Sequence, residues 1–187
     1  MQPATQPATQ PAITGWNNRT VSDFSEGDPD ILILERPLLD DLSAAVQAGR
    51  VHEFLAPVCR AKVGFEVRGG LAELRIKSRH LASDLIDLVT AFLDQFDLQQ
   101  ARLRIEITRT QSCPKFHSDN VHIRLVTTYL GPTTEYQYAG TNEIHTAPLG
   151  GLVFLKGHGH PNHRDTVHHR SPEVPVGEKR LCVAIDY

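Results

Sequence analysis

The chain lacks the features of several protein classes. Its 187 residues include only three cysteines, and this odd, scattered set (Cys59, Cys113 and Cys182) argues against a disulfide framework. No apolar run approaches the roughly 18 residues that span a bilayer, and no secretory signal pattern opens the chain. Positive charge is not in excess, because the net charge is −3, which argues against a nucleic-acid partner. We therefore expect a cytoplasmic protein without a membrane partner.

What the chain has instead is one modest core and many histidines. Hydrophobic residues make up 40% of the chain, and its length predicts one domain with a tail. Residues 2–12 read QPATQPATQPA, a polar repeat with too little apolar surface to offset the conformational entropy lost on ordering. We therefore predict a disordered tail over residues 1–14. The single domain then covers residues 15–187. Ten histidines are present, and five of them lie between His158 and His169.

Residues 15–100 predict a helical support region. The clearest helix covers Ser83–Phe96, where apolar residues recur at helical spacing and Ser83 is a plausible cap. Residues 38–55 resemble a broken helix, and the ILIL run at 31–34 predicts a strand. Residues 62–76 fit either a hairpin or a loop that leads into the next helix.

From residue 101 onward the pattern predicts strands. Residues 101–108 alternate apolar and polar side chains, as a half-buried strand does, and the same texture recurs downstream between turn signals. The later runs cover residues 121–130, 151–157, 165–171 and 180–187. Helices followed by a series of strands predict an α+β fold, in which an antiparallel sheet curls into a barrel or sandwich with the helices on one outer face. We expect this β core, residues 101–187, to hold the functional site.

Two histidines and a carboxylate suggest a metal site in that core. His117 and Asp119 are two residues apart, so on an extended strand their side chains point to the same face. Fifty residues after Asp119, His169 lies on another predicted strand, and a barrel interior is where such distant residues converge. Two histidines and one carboxylate that leave coordination positions open form the facial triad of non-haem Fe(II) oxygenases. Arg180 follows eleven positions after His169, and its guanidinium could bind a carboxylate at two points.

The pattern H-x-D, then H-x10-R, resembles the Fe(II)/2-oxoglutarate-dependent dioxygenases. The stretch HSDNVHIRLVTTYLGPTTEY is similar to the prolyl-hydroxylase segment, in which H-x-D is followed by an arginine, a Tyr-Leu pair and a glycine turn. More narrowly, C-P-x-F-H-x-D, T-Y-x-G-P-x-T-E and H-R-S-P resemble an uncharacterised bacterial family known only as a domain of unknown function. The resemblance covers residues 100–187.

The resemblance implies a fold, cofactors and site residues. The fold would be a double-stranded β-helix, a barrel of the jelly-roll or cupin kind. Fe(II) would be held by His117, Asp119 and His169, and Arg180 would bind the far carboxylate of 2-oxoglutarate. Arg124, which matches the arginine of the family's segment, would either contact the cofactor or form a salt bridge on a barrel face. A hydrogen bond from Tyr129 or Thr127 would help to bind the oxo acid.

Other interpretations remain open at this stage. The triad could instead hold Zn(II) in a non-enzymatic metal-binding barrel of metal homeostasis, or activate water in a zinc hydrolase. His158, His160 and His163 fit either a second, looser metal site or a polar surface loop. No aromatic cage, basic groove or further domain identifies the substrate, which could be a small molecule or a protein, and the oligomeric state is open as well.

Overall fold

The computed structural model describes residues 13–37 and 41–187. The predicted tail falls outside these residues as far as residue 12, while Ile13 is buried. The helices are α1 (Asn18–Glu26), α2 (Ser43–Ala48), α3 (Val63–Glu73) and α4 (Arg79–Gln95), with a 3₁₀ turn at Arg60–Lys62. The strands are β1 (Ile31–Leu34), β2 (His52–Cys59), β3 (Gln100–Thr108), β4 (Ile123–Leu130), β5 (Glu135–Tyr138), β6 (His145–Thr146), β7 (Leu152–Lys156), β8 (Val167–Arg170) and β9 (Arg180–Asp186). The predicted mixture of helices and antiparallel strands is confirmed.

The strands form two antiparallel sheets. The larger sheet has the order β1-β7-β4-β9-β3-β2, and the smaller has the order β6-β5-β8. Among the described residues, His169 of the smaller sheet forms an isolated backbone bridge with His117, which lies outside the named strands, and the two sheets do not close into one continuous barrel. Within 13–37 and 41–187, no helix is both long and apolar enough to cross a membrane.

The two faces of the larger sheet have different surroundings. Alternate β9 residues, including Leu181, Val183 and Ile185, face the main core, where the buried face of α4 packs. The intervening residues Cys182 and Ala184 belong to a smaller cluster on the opposite face. All of β9 is buried, because both of its faces are covered. Since each fully buried leucine contributes about 1.5–3 kcal/mol, the helix side is the main source of stability.

Helix α4 begins earlier than the sequence predicts. Its N-cap is Ser78 rather than Ser83, because the Ser78 hydroxyl accepts a hydrogen bond from the Leu81 amide. The apolar face predicted within Ser83–Phe96 is buried as expected. The predicted helix is therefore right in type and one turn too short.

Two other segments of the N-terminal half differ from the structure predicted for them. Residues 38–55 do not form one helix within the described part: α2 ends before Gly49, and strand β2 begins at His52. That strand lies at the edge of the sheet, which is where the ladder tolerates Pro57. Residues 62–76 contain helix α3 instead of a hairpin or loop. Gly70 lies inside that helix because the Phe54 ring comes so close that a Cβ would be 2.6 Å from it.

Candidate metal centre

The structure brings His117, Asp119 and His169 together. His117 and Asp119 lie in the segment between β3 and β4, and His169 lies in β8 of the smaller sheet. His117 and His169 exchange two backbone hydrogen bonds of 3.1 and 3.0 Å, which set their rings 4.6 Å apart. One ligand atom of each of the three side chains lies within 4.8 Å of the others. The backbone bridge is thus the device that pairs two histidines from distant parts of the chain.

The hydrogen bonds of His117 orient its ring toward Asp119. Its Nδ1 lies 2.8 Å from the Lys115 carbonyl oxygen, so the N–H at this position donates to that oxygen and the lone pair stays on Nε2. Nε2 lies 3.5 Å from Asp119 Oδ1. A metal-binding histidine commonly fixes its tautomer in this way, through a hydrogen bond of the other ring nitrogen.

Asp119 is a mostly buried carboxylate whose Oδ2 accepts no hydrogen bond from the described residues. Burial acts to raise its pKa, but contact with His169 and the charge of Arg124 outweigh it and lower the pKa to about 2. Oδ1 accepts a 2.6 Å hydrogen bond from Arg124 Nη1. Oδ2 lies 3.1 Å from His169 Nε2, an ion-pair distance, but it accepts no hydrogen bond from the described residues. Burial also lowers the pKa of His169, which favours the neutral imidazole that can act as a ligand.

These residues fit a divalent metal ion. An unpaired buried carboxylate oxygen costs free energy unless a cation or donor satisfies it, and two imidazole nitrogens lie beside it. Arg124 holds the carboxylate from behind, and its other nitrogens bind Asp186 at 2.6 and 3.0 Å. Two histidines and one carboxylate suit iron and similar transition metals, with positions left for other ligands.

The three residues line a cavity of about 340 Å³ between the two sheets. Its floor on the larger sheet is formed by small or apolar side chains, namely Val126, Cys182 and Ala184. The Cys113 thiol also borders the cavity, with Sγ 3.7 Å from His117 Nδ1. Such a cavity can hold a small organic ligand next to the metal-binding atoms.

Arg180 lines the same cavity and is only 2% exposed. Its Nε donates to the Pro132 carbonyl oxygen at 2.9 Å, and its Nη2 lies 3.3 Å from the hydroxyls of Thr128 and Thr134. Among the described residues it has no carboxylate partner, and its Nη1 makes no hydrogen bond. A buried guanidinium that has only neutral partners can bind an anion favourably, because its buried charge is not yet compensated.

The other arginines of the cavity are each paired with an acid. Arg104 contacts Glu53 at 3.1 Å, Arg124 binds two aspartates, and Arg170 donates to Glu135 at 2.6 Å while it stacks on Phe116. Their charges are therefore already compensated. Within the part of the chain that the structure describes, Arg180 is the cavity arginine whose charge is left for a ligand.

The structure does not bring Thr127 and Tyr129 to this cavity. Tyr129 lies on the helix side of the larger sheet, where its hydroxyl donates to Asp84 of α4 at 2.5 Å. Thr127 is paired with Val183 of β9, which faces the main core. Thr128 takes the place expected for them, because side chains alternate along β4 and Arg124, four residues earlier, faces the cavity. Counting by twos from Arg124 would have selected Thr128; Thr134 lies outside the strands and gave no such signal.

The histidine-rich loop between β7 and β8 divides into two parts. His160 is buried, and its ring is held by the Asn162 amide at 3.1 Å and the Ser25 hydroxyl at 3.4 Å. His158 and His163 instead approach Asp165, an acidic residue that sequence reasoning missed. The expected trio of His158, His160 and His163 is thus not the group of metal-binding atoms that lies together.

The family comparison matches most of the chain. Residues 38–186 match the family described as "Protein of unknown function (DUF1826)". No curated protein sequence matches the chain.

Several solved structures are similar in fold at low sequence identity. A Pseudomonas putida prolyl-4-hydroxylase is 14% identical with a TM-score of 0.48, over 90% of this chain and 96% of that one. The viral collagen prolyl hydroxylase of Paramecium Bursaria Chlorella virus-1 is 10% identical with a TM-score of 0.40, over 71% and 94%. A C-terminally truncated Neurospora crassa protein in its apo form is 17% identical with a TM-score of 0.39, over 56% of this chain but only 43% of its own length. All three scores lie below 0.5, so any functional conclusion has to come from the site itself.

Proposed function

We propose that this chain, which belongs to the DUF1826 family, is an Fe(II)- and 2-oxoglutarate-dependent oxygenase on a double-stranded β-helix. The single observation that carries the proposal is the pairing of two features in one cavity. A group of two histidines and one aspartate has an unpaired carboxylate oxygen, and the buried Arg180 guanidinium has no acid partner in the described residues. A metal site alone would not need that arginine.

His117, Asp119 and His169 would hold the iron. The ion would satisfy Asp119 Oδ2, and the hydrogen bond from His117 to Lys115 already directs Nε2 toward it. Arg124 fixes Asp119 through Oδ1 and leaves Oδ2 available to the metal. Together with 2-oxoglutarate, bound iron would supply the activation of dioxygen and the oxidation of a substrate C–H bond.

Arg180 would bind the distal carboxylate of the oxo acid. Its planar guanidinium offers parallel N–H donors that match a carboxylate, and burial strengthens such a charge-assisted pair. The hydroxyls of Thr128 and Thr134 hold Nη2 in place and can also donate to the ligand. The small side chains of Cys182 and Ala184 leave room along β9 between Arg180 and the metal-binding atoms.

Binding of the oxo acid tests the proposal directly. Protein purified without a histidine tag is titrated anaerobically with Fe(II) and 2-oxoglutarate, and we expect a visible charge-transfer absorption that depends on both. In air, the same mixture should form succinate slowly without a substrate. Arg180→Met should weaken 2-oxoglutarate binding by about 10- to 100-fold, since a hydrogen bond to a charged group contributes about 1.5–3 kcal/mol.

Two controls separate this function from simple metal binding. Arg104→Gln removes another arginine from the cavity wall, but one that Glu53 already neutralises, so 2-oxoglutarate affinity should stay within about twofold of wild type. Arg180→Met should retain Fe(II). Tight retention of one zinc ion with no response to 2-oxoglutarate would instead favour the metal-homeostasis protein, and zinc-dependent ester or amide cleavage that ignores the oxo acid would favour a hydrolase.

A further inference from the structure

A second group of metal-binding side chains lies in the loop between β7 and β8. His158, His163 and Asp165 each place one ligand atom within 4.8 Å of the others. The rings of His158 and His163 are 4.8 Å apart between centroids, and His163 Nε2 is 3.6 Å from Asp165 Oδ1. These are nitrogen and oxygen donors of the kind that zinc, nickel and copper prefer.

His163 is the member of this group that needs a partner. Its side chain is only 9% exposed, yet neither ring nitrogen makes a hydrogen bond to the described residues. Leaving two buried ring nitrogens unpaired is costly. Asp30 Oδ1 lies 3.4 Å from Nδ1, on the opposite side of the ring from the contact with Asp165. A carboxylate behind one nitrogen and a ligand position in front of the other is the usual setting of a metal-bound histidine.

The loop that carries the group is held in place by other contacts. Asp30, which is buried, accepts hydrogen bonds from the amides of Arg164 and Thr166 and from the Thr166 hydroxyl, all at 2.7–2.9 Å. Asn162 reaches the carbonyls of Ser25 and Glu26 in α1. Asp165 itself has a left-handed backbone with φ of 57°, a conformation that aspartate adopts more readily than most other non-glycine residues. These contacts hold the backbone on both sides of His163 in place.

We infer that His158, His163 and Asp165 form a second metal site, separate from the oxygenase centre, that takes a borderline divalent ion such as Zn²⁺. Two neutral imidazoles and one carboxylate give such an ion three protein ligands, and water can complete the shell because His158 and Asp165 are exposed. The inference does not depend on the proposed oxygenase activity.

Occupation of this site would brace the segment that carries His117 and Asp119. The Ser118 hydroxyl lies 3.3 Å from Asp165 Oδ1, and the His158 amide donates to the Asp119 carbonyl oxygen at 2.8 Å. Gly157 permits this close approach, because a Cβ there would lie 2.5 Å from the same carbonyl oxygen. The second ion would thus support the first centre from behind while it stays outside the cavity.

Metal stoichiometry tests the inference. Full-length protein without a tag is dialysed to equilibrium against buffered Zn²⁺, and bound zinc is counted by mass spectrometry. We expect two equivalents for wild type and one for the Asp119→Asn/His169→Gln variant, which removes the first centre. Asp165→Asn should weaken the second equivalent by at least about tenfold, because loss of even an outer-shell partner costs a metal site 10- to 100-fold.

Each variant should leave the fold intact, so that a lost zinc equivalent reports a lost ligand and not unfolding. Asn tolerates the left-handed backbone of residue 165, and His158→Gln removes an exposed ligand from the same group. His52→Gln, which changes a histidine that contacts Glu73 at the surface, serves as the control and should keep both equivalents. Hydrogen exchange of residues 157–167 should slow on zinc addition in wild type and not in Asp165→Asn. The absence of bound zinc in Asp119→Asn/His169→Gln, or an equivalent there that neither Asp165→Asn nor His158→Gln diminishes, would overturn the inference, whatever the first centre does.

Discussion

The larger sheet carries a buried arginine against each of its faces, and the two have opposite surroundings. On the helix side, the Arg36 side chain is 4% exposed and donates to Asp84 at 2.6 Å, to the Gly150 carbonyl oxygen at 2.6 Å and to the Tyr129 hydroxyl at 3.2 Å. On the cavity side, Arg180 is equally buried, but within residues 13–37 and 41–187 it bonds only to a carbonyl and two hydroxyls.

We propose that this difference separates a structural charge, that of Arg36, from a ligand-binding one, that of Arg180. Arg36, Asp84 and Tyr129 form a closed network in which the positive charge has a negative partner, so that network can stabilise the packing of α4 on the sheet. Arg180 keeps an uncompensated charge in a low-dielectric cavity, which is unfavourable for stability and useful for binding an anion. Both arginines are buried, so the proposed role of Arg180 depends on its lack of an acid partner among the described residues and not on burial.

Replacing each arginine by methionine should give unequal losses of stability. Arg36→Met leaves the mostly buried Asp84 carboxylate without its cation, with the Tyr129 hydroxyl still donating to it, so we expect the free energy of unfolding to fall by about 3–5 kcal/mol. Arg180→Met loses hydrogen bonds to neutral groups but also removes a buried charge, so its loss should stay below about 1.5 kcal/mol. Urea unfolding measures both values.

A compensating variant sharpens the comparison. Adding Asp84→Leu to Arg36→Met removes the carboxylate that has lost its cation. The double variant should therefore recover much of the lost free energy of unfolding. If Arg180→Met proved as destabilising as Arg36→Met, the cavity arginine would be structural, and its assigned role in anion binding would lose its basis.

The elements that the sequence predicted are those with a clear period. Strand β3 alternates because one face lies in the main core and the other is partly exposed, and α4 shows a continuous apolar face. Strand β2 was not predicted from the sequence. It is an edge strand whose residues are mostly half-exposed, so its apolar residues do not alternate cleanly. Strands β5 and β6 are too short to display a period.

The candidate site was predictable where residues share a local spacing. His117 and Asp119 lie two residues apart, and the structure places them beside His169. The threonines around Arg180 were not predictable in the same way, since Thr134 is brought there by the turn after β4 and Tyr129 falls at an irregularity in the β4–β9 register. Asp165 joins His163 through a left-handed backbone turn that no apolar pattern reveals.

Arg124 also lies on the cavity side, where it is partly buried and, unlike Arg180, paired with acids. It bonds both Asp119 and Asp186, and we expect it to act by positioning Asp119 for the metal. Arg124→Met should lower Mn²⁺ affinity at the first centre by about 10- to 100-fold, the usual cost of losing an outer-shell partner. Titration followed by electron paramagnetic resonance, in the Asp165→Asn background, measures this site alone.

Arg102 provides the matched control for that variant. It contacts Asp186 from the other side at 2.7 Å, it is half-exposed, and it makes no hydrogen bond to Asp119 among the described residues. Arg102→Met should therefore leave Mn²⁺ affinity within about twofold of wild type. Equal losses in the two variants would mean that the positive charge near Asp186, and not the hydrogen bond from Arg124 to Asp119, determines the Mn²⁺ affinity.

The smallest expected effect belongs to Tyr129→Phe, which tests the helix side directly. Burial, and then the charge of Asp84, raise the pKa of Tyr129 well above its ordinary value. Above about pH 10 the unfolded chain therefore loses a phenol proton that the folded protein retains, and wild-type stability should fall as pH rises through this range, by up to about 1.4 kcal/mol per pH unit. Tyr129→Phe should cost about 1 kcal/mol near pH 7 through its lost hydrogen bonds, show a shallower alkaline decline in urea unfolding, and leave 2-oxoglutarate affinity unchanged. A weakened affinity for 2-oxoglutarate, with the fold unchanged, would instead indicate that Tyr129 contacts the ligand in the cavity.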